Sequence, residues 1–185
     1  RHVGFGDGIY RSDDGGSTWT NMGLTESQHI STILVHPQNS EIVWAAVQGP
    51  LWTPGGERGL YKTDDGGQSW RNVLSAGEWT GVTDVVIDPA NPDVLYAATW
   101  QHHRTVAAYM GGGPESGIHK STDGGETWQR LKTGLPTGNM GKIGLTISPQ
   151  DSDVVYAAIE LNRREGGVWR SDDRGASWSK GADAV

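Results

Sequence analysis

The stretch that decides the fold is RSDDGGSTWT, residues 11–20, in which two aspartates and two glycines precede a tryptophan. The same arrangement returns as KTDDGGQSWR from Lys62, KSTDGGETWQ from Lys120 and RSDDRGASWS from Arg170. Each copy reads hydroxyl, any, Asp, any, Gly, any, hydroxyl, Trp. A catalytic centre is normally needed once, whereas a period of roughly 50 to 60 residues is typical of repeat arrays and propeller blades. The sequence therefore predicts that this stretch is architecture.

The repeated pattern, which we call the box, consists of residue types that favour a tight turn. An aspartate accepts hydrogen bonds from the N–H groups of the turn that follows it, and a glycine permits a positive φ. A tryptophan buries a large apolar surface while its N–H finds a local acceptor. The structural positions are Ser12, Asp14, Gly16, Trp19, Thr63, Asp65, Gly67, Trp70, Ser121, Asp123, Gly125, Trp128, Ser171, Asp173, Gly175 and Trp178.

Calcium is the alternative for the box, because a second aspartate stands beside the first at Asp13, Asp64 and Asp172. The loop lacks the length and the downstream glutamate of an EF-hand site. We therefore predict no metal in the boxes and no cofactor for the chain.

Strand-like segments upstream of the boxes complete the repeat. ILVHPQNSEIVWAA (33–46), VVIDPANPDVLYAA (85–98) and LTISPQDSDVVYAA (145–158) align without a gap, each as a strand, a proline turn and a second strand. Each unit thus has four strands: A (about 30–36 in the first unit), B (about 42–48), C (about 59–63) and D (about 69–74), with the box as the C–D turn. Antiparallel four-stranded units repeated around an axis form an all-β propeller.

The units divide the chain into a C–D half blade over 1–23 and three blades over 24–74, 75–133 and 134–185. Three and a half blades would leave strand edges and blade faces uncovered. We therefore expect the chain to be an interior part of one larger propeller domain, with the rest of that propeller as its first partner.

The four boxes resemble the Asp-box, or bacterial neuraminidase repeat. With the proline turns, the sequence is similar to the N-terminal propeller of bacterial exported proteins of the sortilin-like and glycosyl-hydrolase-like kinds. The resemblance implies a β-propeller in an extracellular, periplasmic or cell-surface protein. Propellers of this kind include sialidases, xyloglucan hydrolases, sortilin-type receptors and a photosystem assembly factor, so function has to be argued from the site.

Composition narrows the partners. The chain has a net charge of −7 and no basic stripe, which argues against nucleic acid as a partner. No apolar run is long enough to predict a transmembrane segment. A protein, a peptide or a glycan remains as the expected ligand.

The candidate ligand site lies on the B–C and D–A connections, which strand alternation places at one end of the blades. These connections are 49–58, 99–116, 160–166, 24–29, 75–81 and 132–142. Aromatic side chains suit sugar rings or peptides, and arginines suit carboxylates. The predicted ligand-binding residues are Trp52, Arg58, Trp100, His103, Arg104 and Tyr109. The same connections carry Trp79, His102, Arg163 and Arg164.

Two enzyme functions are weighed against recognition. A sialidase would show the Phe/Tyr-Arg-Ile-Pro motif, which is missing from the sequence. A xyloglucan hydrolase needs an acid and a base across a cleft, and the loop carboxylates available are Glu57, Asp84, Glu115 and Glu160. Glu57 is interpreted as the ion-pair partner of Arg58, and adjacent His102 and His103 do not form a metal site.

The function predicted from sequence is a non-catalytic scaffold and recognition segment that binds its ligand on the loop face. One alternative is part of a glycoside hydrolase propeller, xyloglucanase-like or sialidase-like, with catalytic residues partly outside the segment. The other is a structural subunit of a larger assembly.

Overall fold

The computed structural model describes residues 4–162 and 165–183. The strands in these residues form three four-stranded antiparallel sheets and two short hairpins. The all-β prediction is confirmed. None of the described elements is a helix that could cross a bilayer.

The strands follow the predicted repeat. A hairpin of β1 (Tyr10–Arg11) and β2 (Thr20–Asn21) comes first. The first sheet consists of β3 (Ile30–His36), β4 (Asn39–Val47), β5 (Gly59–Thr63) and β6 (Arg71–Leu74). The second contains β7 (Thr80–Ile87) and β8 (Leu95–Gln101), then after a small hairpin of β9 (His103–Arg104) and β10 (Tyr109–Met110) adds β11 (Gly117–Ser121) and β12 (Gln129–Arg130). The third consists of β13 (Ile143–Ile147), β14 (Val155–Ile159), β15 (Gly167–Ser171) and β16 (Ser179–Asp183).

Strand β4 begins at Asn39, three residues earlier than the sequence predicts. Asn39 pairs with His36 across a turn at Pro37 and Gln38, next to an irregularity in the register after Val35. The second and third sheets keep a longer proline turn, which is closed by hydrogen bonds such as Asp88 N–H to Val94 O at 2.9 Å. The proline turns therefore share their sequence pattern without sharing one length.

The apolar core lies between successive sheets. Trp44, Leu60 and Val82 belong to one buried cluster between the first and second sheets, and Ile118 and Ile143 belong to another between the second and third. Burying such side chains removes apolar surface from water, at about 25 cal/mol per Å². Each sheet is therefore stabilised mainly by the faces of its neighbours, as propeller blades are.

Asp84 is not a loop carboxylate, as the sequence reading had it, but a residue of β7. Its Oδ1 accepts the hydroxyl of Thr32 in β3 at 3.3 Å, and its Oδ2 accepts the N–H of Leu145 in β13 at 2.8 Å. One carboxylate thus links the first strands of all three sheets.

The four boxes have one geometry. Each aspartate accepts the backbone N–H of the residue four positions later, at 2.9 Å from Thr18 to Asp14 and 3.0 Å from Thr127 to Asp123. These bonds, with those from the hydroxyl of the same residue, lower the pKa of the carboxyls to about 2. The glycines share a positive φ, at 91° for Gly16, 95° for Gly67, 83° for Gly125 and 80° for Gly175.

The second aspartate, present in three of the boxes, pairs with a cation of the strand that precedes the box. Arg11 Nε lies 2.8 Å from Asp13, and Lys62 Nζ lies 3.4 Å from Asp64. Arg170 Nε lies 2.8 Å from Asp172. Within the described residues, no three His, Cys, Asp or Glu side chains gather as a metal site would require. Charge compensation thus accounts for the second aspartate.

Replacing Asp123 by alanine is expected to lower the midpoint of thermal unfolding. Ser121, Thr127 and the Glu126 N–H would lose their acceptor, and a lost acceptor leaves donors unpaired. The neighbouring Thr122→Ala is the matched control and should leave the midpoint unchanged. Calcium and a chelator should not move the midpoint of either protein; stabilisation by calcium would contradict the structural account.

Candidate functional site

The sheets have two different ends. At one end, which we call the box end, the second, third and fourth boxes are each bonded to the A–B turn of their own sheet. Gly66 N–H donates to Glu41 O at 2.9 Å, and Gly124 N–H donates to Asp93 O at 2.9 Å. The B–C and D–A connections occupy the opposite end, which we call the loop end.

Hydrogen bonds join the connections of the loop end to one another. Arg104 N–H donates to Leu51 O at 3.0 Å, across the first and second sheets. Gly113 N–H donates to Met140 O at 3.1 Å, across the second and third. The loop end is therefore a continuous surface held by backbone contacts.

Three of the predicted residues form an exposed group, which we call the aromatic cluster: Trp52, Arg104 and Tyr109. Arg104 Cζ lies 5.6 Å from the Trp52 ring centroid and 5.9 Å from that of Tyr109. Trp52 is 49% exposed and Tyr109 is 56% exposed. Partial burial raises the pKa of the Tyr109 hydroxyl, with a smaller contribution from the Glu160 carboxylate. Both rings therefore keep aromatic surface that a ligand can reach.

Trp100 and His103 lie beside this cluster but are half-buried. The Trp100 indole donates to Gly111 O at 2.9 Å, and its ring stacks on His102 with centroids 4.0 Å apart. Burial lowers the pKa of His102 to about 4, so this imidazole is neutral at pH 7. The His103 ring lies 4.5 Å from that of Trp79. These contacts hold the Trp100 and His103 side chains in place at the loop end.

Arg58, one of the predicted ligand-binding residues, is buried. Its guanidinium donates to backbone carbonyl oxygens at two connections. Four acceptors lie in or next to the connection 49–58, and the fifth lies in the connection 75–81: Gln48, Pro50, Thr53, Gly55 and Trp79. The predicted ion pair with Glu57 is also replaced, since Glu57 accepts the N–H of Glu26 at 2.8 Å. Burial lowers the pKa of Arg58 to about 10, which leaves it charged at neutral pH.

An open cavity of about 1680 Å³ reaches the aromatic cluster through Gly111, which lines the cavity and packs against the Tyr109 ring. The cavity is lined by Thr32 of β3 and by Thr83 and Asp84 of β7. Lys142 and Glu160 line it from the loop end. Lys142 Nζ lies 5.8 Å from the Trp100 ring centroid. This contact connects the cavity to Trp100 at the loop end. Sequence reasoning did not select Lys142, because a single lysine in a connection belongs to no pattern.

The structure separates the four carboxylates considered for catalysis. Asp84 and Glu160 line the cavity, whereas Glu57 and Glu115 lie outside its lining. Glu160 Oε2 accepts the Lys142 N–H at 3.1 Å, and Glu115 accepts the Thr80 hydroxyl. Arg163 and Arg164, which the sequence assigns to this end, lie outside the described residues.

Two bacterial xyloglucanases are similar to this chain in sequence. Xyloglucanase Xgh74A of Acetivibrio thermocellus is 32% identical over 133 residues, which are 66% of this chain and 15% of that protein. A Paenibacillus xyloglucanase is 32% identical over 66% of this chain and 12% of its own length. The chain thus spans less than a fifth of either relative.

Solved structures resemble the fold at low sequence identity. An ancestral GH74 enzyme has a TM-score of 0.75 at 19% identity, over 99% of this chain and 22% of that one. The GH74 xyloglucanase from Xanthomonas campestris has a TM-score of 0.72 at 19% identity, over 97% and 27%. A Hadza microbial sialidase has a TM-score of 0.51 at 21% identity, over 94% and 39%. These likenesses support a partial β-propeller.

The family follows from a match along most of the chain. The family described as sortilin, neurotensin receptor 3 (Sortilin-Vps10) matches residues 7–134, which contain three of the four boxes. The predicted Asp-box propeller family is confirmed by this match together with the sheets and the relatives. The chain belongs to the Sortilin-Vps10 family of Asp-box β-propellers.

Proposed function

We propose that this chain is the recognition part of a glycoside-hydrolase-type propeller and that its loop end binds a xyloglucan-like polysaccharide. The observation that carries the proposal is the aromatic cluster beside the open cavity. Aromatic faces offer flat apolar area to a sugar ring, and nearby polar groups orient the hydroxyls. The xyloglucanase relatives support the glycoside-hydrolase-type propeller and the xyloglucan-like ligand.

The charges of the loop end favour a neutral ligand. The cavity is lined by the carboxyl groups of Asp84, Glu160 and Glu165, with Lys142 as a lining cation. The net charge of the chain is −7. An anionic ligand would meet repulsion from these groups, whereas a polysaccharide supplies hydroxyls that donate to carboxylates and accept from Lys142 and Arg104.

Binding rather than bond cleavage is the role that we assign to this chain. Glycoside hydrolysis requires a carboxylic acid and a carboxylate on opposite sides of the scissile bond. The oxygens of Asp84 already accept the Thr32 hydroxyl and the N–H groups of Val85 and Leu145. Asp84 therefore acts as a link between strands, and Glu160 is left as a group that contacts the ligand. An exported location is part of the same proposal, supported by the resemblance to exported Asp-box propellers.

Trp52→Ala and Tyr109→Ala are each expected to weaken binding of soluble xyloglucan by about tenfold, the loss that one stacking ring of about 1.4 kcal/mol would cause. Affinity electrophoresis and calorimetry with xyloglucan measure the effect. Trp19→Ala is the matched control, because Trp19 is 61% exposed but belongs to a box. Equal binding by all three variants would rule out the aromatic cluster as the site.

The second candidate function is cleavage of the same polysaccharide, which the xyloglucanase relatives favour. Release of reducing ends from xyloglucan, measured on the chain and on a longer protein that contains it, distinguishes the two. Binding without release supports recognition. Release that Glu160→Gln abolishes, with binding retained, would assign catalysis to the cavity.

A further inference from the structure

Two glycines of the loop end, Gly111 and Gly141, lie against each other where the second sheet meets the third. A Cβ at Gly141 would stand 3.1 Å from the Gly111 carbonyl oxygen, which is closer than side chains usually come to backbone. Both glycines line the open cavity, and neither has a positive φ. Close approach therefore requires glycine at these two positions. We call the pair the glycine floor.

Backbone hydrogen bonds hold the glycine floor in place. Gly113 N–H donates to Met140 O at 3.1 Å, which ties the connection of Gly111 to the connection of Gly141. Gly141 N–H donates to Glu160 O at 2.8 Å, which ties the floor to the third sheet. These partners belong to the second and third sheets, so the floor is formed by contacts inside the chain.

The Tyr109 ring borders the floor at Gly111. A Cβ at Gly111 would stand 2.9 Å from Tyr109 Cε1 and 3.5 Å from the Tyr109 hydroxyl oxygen. The ring therefore rests directly on the glycine, in a position that any side chain at residue 111 would take. Tyr109 is nevertheless 56% exposed, so part of its surface stays open to the cavity side.

The Glu160 carboxylate borders the floor at Gly141. A Cβ at Gly141 would stand 2.8 Å from Glu160 Cβ and 3.0 Å from Glu160 Oε2. The Lys142 N–H donates to Oε2 at 3.1 Å and so orients the carboxylate. Glu160 is exposed, and no other donor of residues 4–162 and 165–183 is bonded to it. Its second oxygen is therefore available to a ligand.

The phenol and the carboxylate are close enough to interact through charge. Burial, and then the negative charge of Glu160, raise the pKa of the Tyr109 hydroxyl. Tyr109 comes from the connection 99–116 and Glu160 from the connection 160–166, so two sheets bring them to the same floor. An aromatic face and a hydrogen-bond acceptor thus stand over backbone that carries no side chain.

We propose that Tyr109, Glu160 and the glycine floor form a subsite for one neutral pyranose ring of the polysaccharide. The inference rests on the proposed function and names the part of the loop end that holds a single sugar residue. The Tyr109 face offers apolar area to the ring, and a carboxylate accepts hydrogen bonds from the hydroxyls of the sugar. Glycine at both floor positions leaves the space that the ring occupies.

Calorimetry with soluble xyloglucan tests the floor. Gly111→Ala is expected to weaken binding by about tenfold, because the added methyl group displaces the Tyr109 ring. The ring is the free end of a side chain, so the thermal midpoint should stay unchanged. Gly181→Ala in β16 is the matched control, since its Cβ would meet only Val168 O at 3.7 Å, and it should bind as the unmodified chain does.

Glu160→Ala, at an exposed side chain, tests the second border of the subsite without disturbing the floor. It should also weaken binding by about tenfold. Tyr109→Ala combined with Glu160→Ala should lose far less than the roughly hundredfold product of two independent losses, because either change releases the same sugar ring. A full hundredfold loss would mean two separate contacts and would overturn the single subsite.

The same measurements separate this subsite from the proposed function as a whole. If Trp52→Ala weakens binding while Gly111→Ala and Glu160→Ala bind as tightly as the unmodified chain, the subsite is wrong and the aromatic cluster still binds the polysaccharide. If Trp52→Ala and Tyr109→Ala also bind normally, the proposed function fails and the subsite fails with it.

Discussion

Arg58→Met is expected to lower the free energy of unfolding by about 3 kcal/mol, the cost of removing a buried charged donor from its acceptors. Arg58 is 4% exposed, and its guanidinium donates to the carbonyls of five residues. Two of these, Pro50 and Thr53, flank Trp52 in the sequence. The same change should therefore free the backbone around Trp52 and weaken binding of xyloglucan.

Urea unfolding measures the first effect, and quenching of tryptophan fluorescence with calorimetry measures the second. Arg58→Lys keeps the charge but replaces the planar fork of donors, so it should restore only part of the stability. Arg104→Met is the matched control at an exposed arginine and should leave the urea midpoint unchanged. An unchanged midpoint for Arg58→Met would contradict the structural role.

The boxes could be predicted from sequence because their chemistry is local. Asp14 finds its N–H donor four residues away, and Gly16 meets its own conformational requirement within the turn. The four copies of the box also reveal the period of the repeat, and the period predicts one four-stranded sheet per unit. The strands of the first unit accordingly lie within three residues of their predicted bounds.

The role of Arg58 could not be predicted, because its acceptors meet only after two sheets have packed. Its nearest opposite charge in sequence is Glu57, yet the Trp79 carbonyl that it binds comes from another connection. Asp84 is a similar case, since its partners Thr32 and Leu145 lie 52 and 61 residues away. Strand alternation does predict that Trp52, Arg104 and Tyr109 share one end, because that inference needs only the strand order.

A second large effect is expected from pH. Lowering the pH from about 7 to about 4 should lower the free energy of unfolding by about 2–3 kcal/mol for each of two buried histidines. Burial lowers the pKa of His102 and of His119 from 6.5 to about 4. His102 is 2% exposed and His119 is 8% exposed, and His119 Nδ1 has no hydrogen-bond partner.

The sign follows from proton binding. Between a pKa of 6.5 in the unfolded chain and about 4 in the folded one, the unfolded state binds protons that the folded state does not. The free energy of unfolding therefore rises with pH across this window. The contribution of the histidines is complete above pH 6.5 and is lost as the pH falls to about 4. The box aspartates act in a separate window, since their contribution is lost only as the pH falls below 3.8 toward 2.

His119→Leu separates the histidine effect from general acid sensitivity. Leucine keeps an apolar side chain in β11 and removes one of the two protonation sites, so the loss of stability between about pH 7 and about pH 4 should be roughly halved. Val85→Ala, at a site 2% exposed, is the control. It creates a cavity whose cost does not depend on protons, so its urea midpoint should fall by the same amount at every pH. If the free energy of unfolding of His119→Leu instead falls with pH in parallel with that of the unmodified protein from about pH 7 to about pH 4, His119 does not take up a proton on unfolding. The acid sensitivity must then come from other groups.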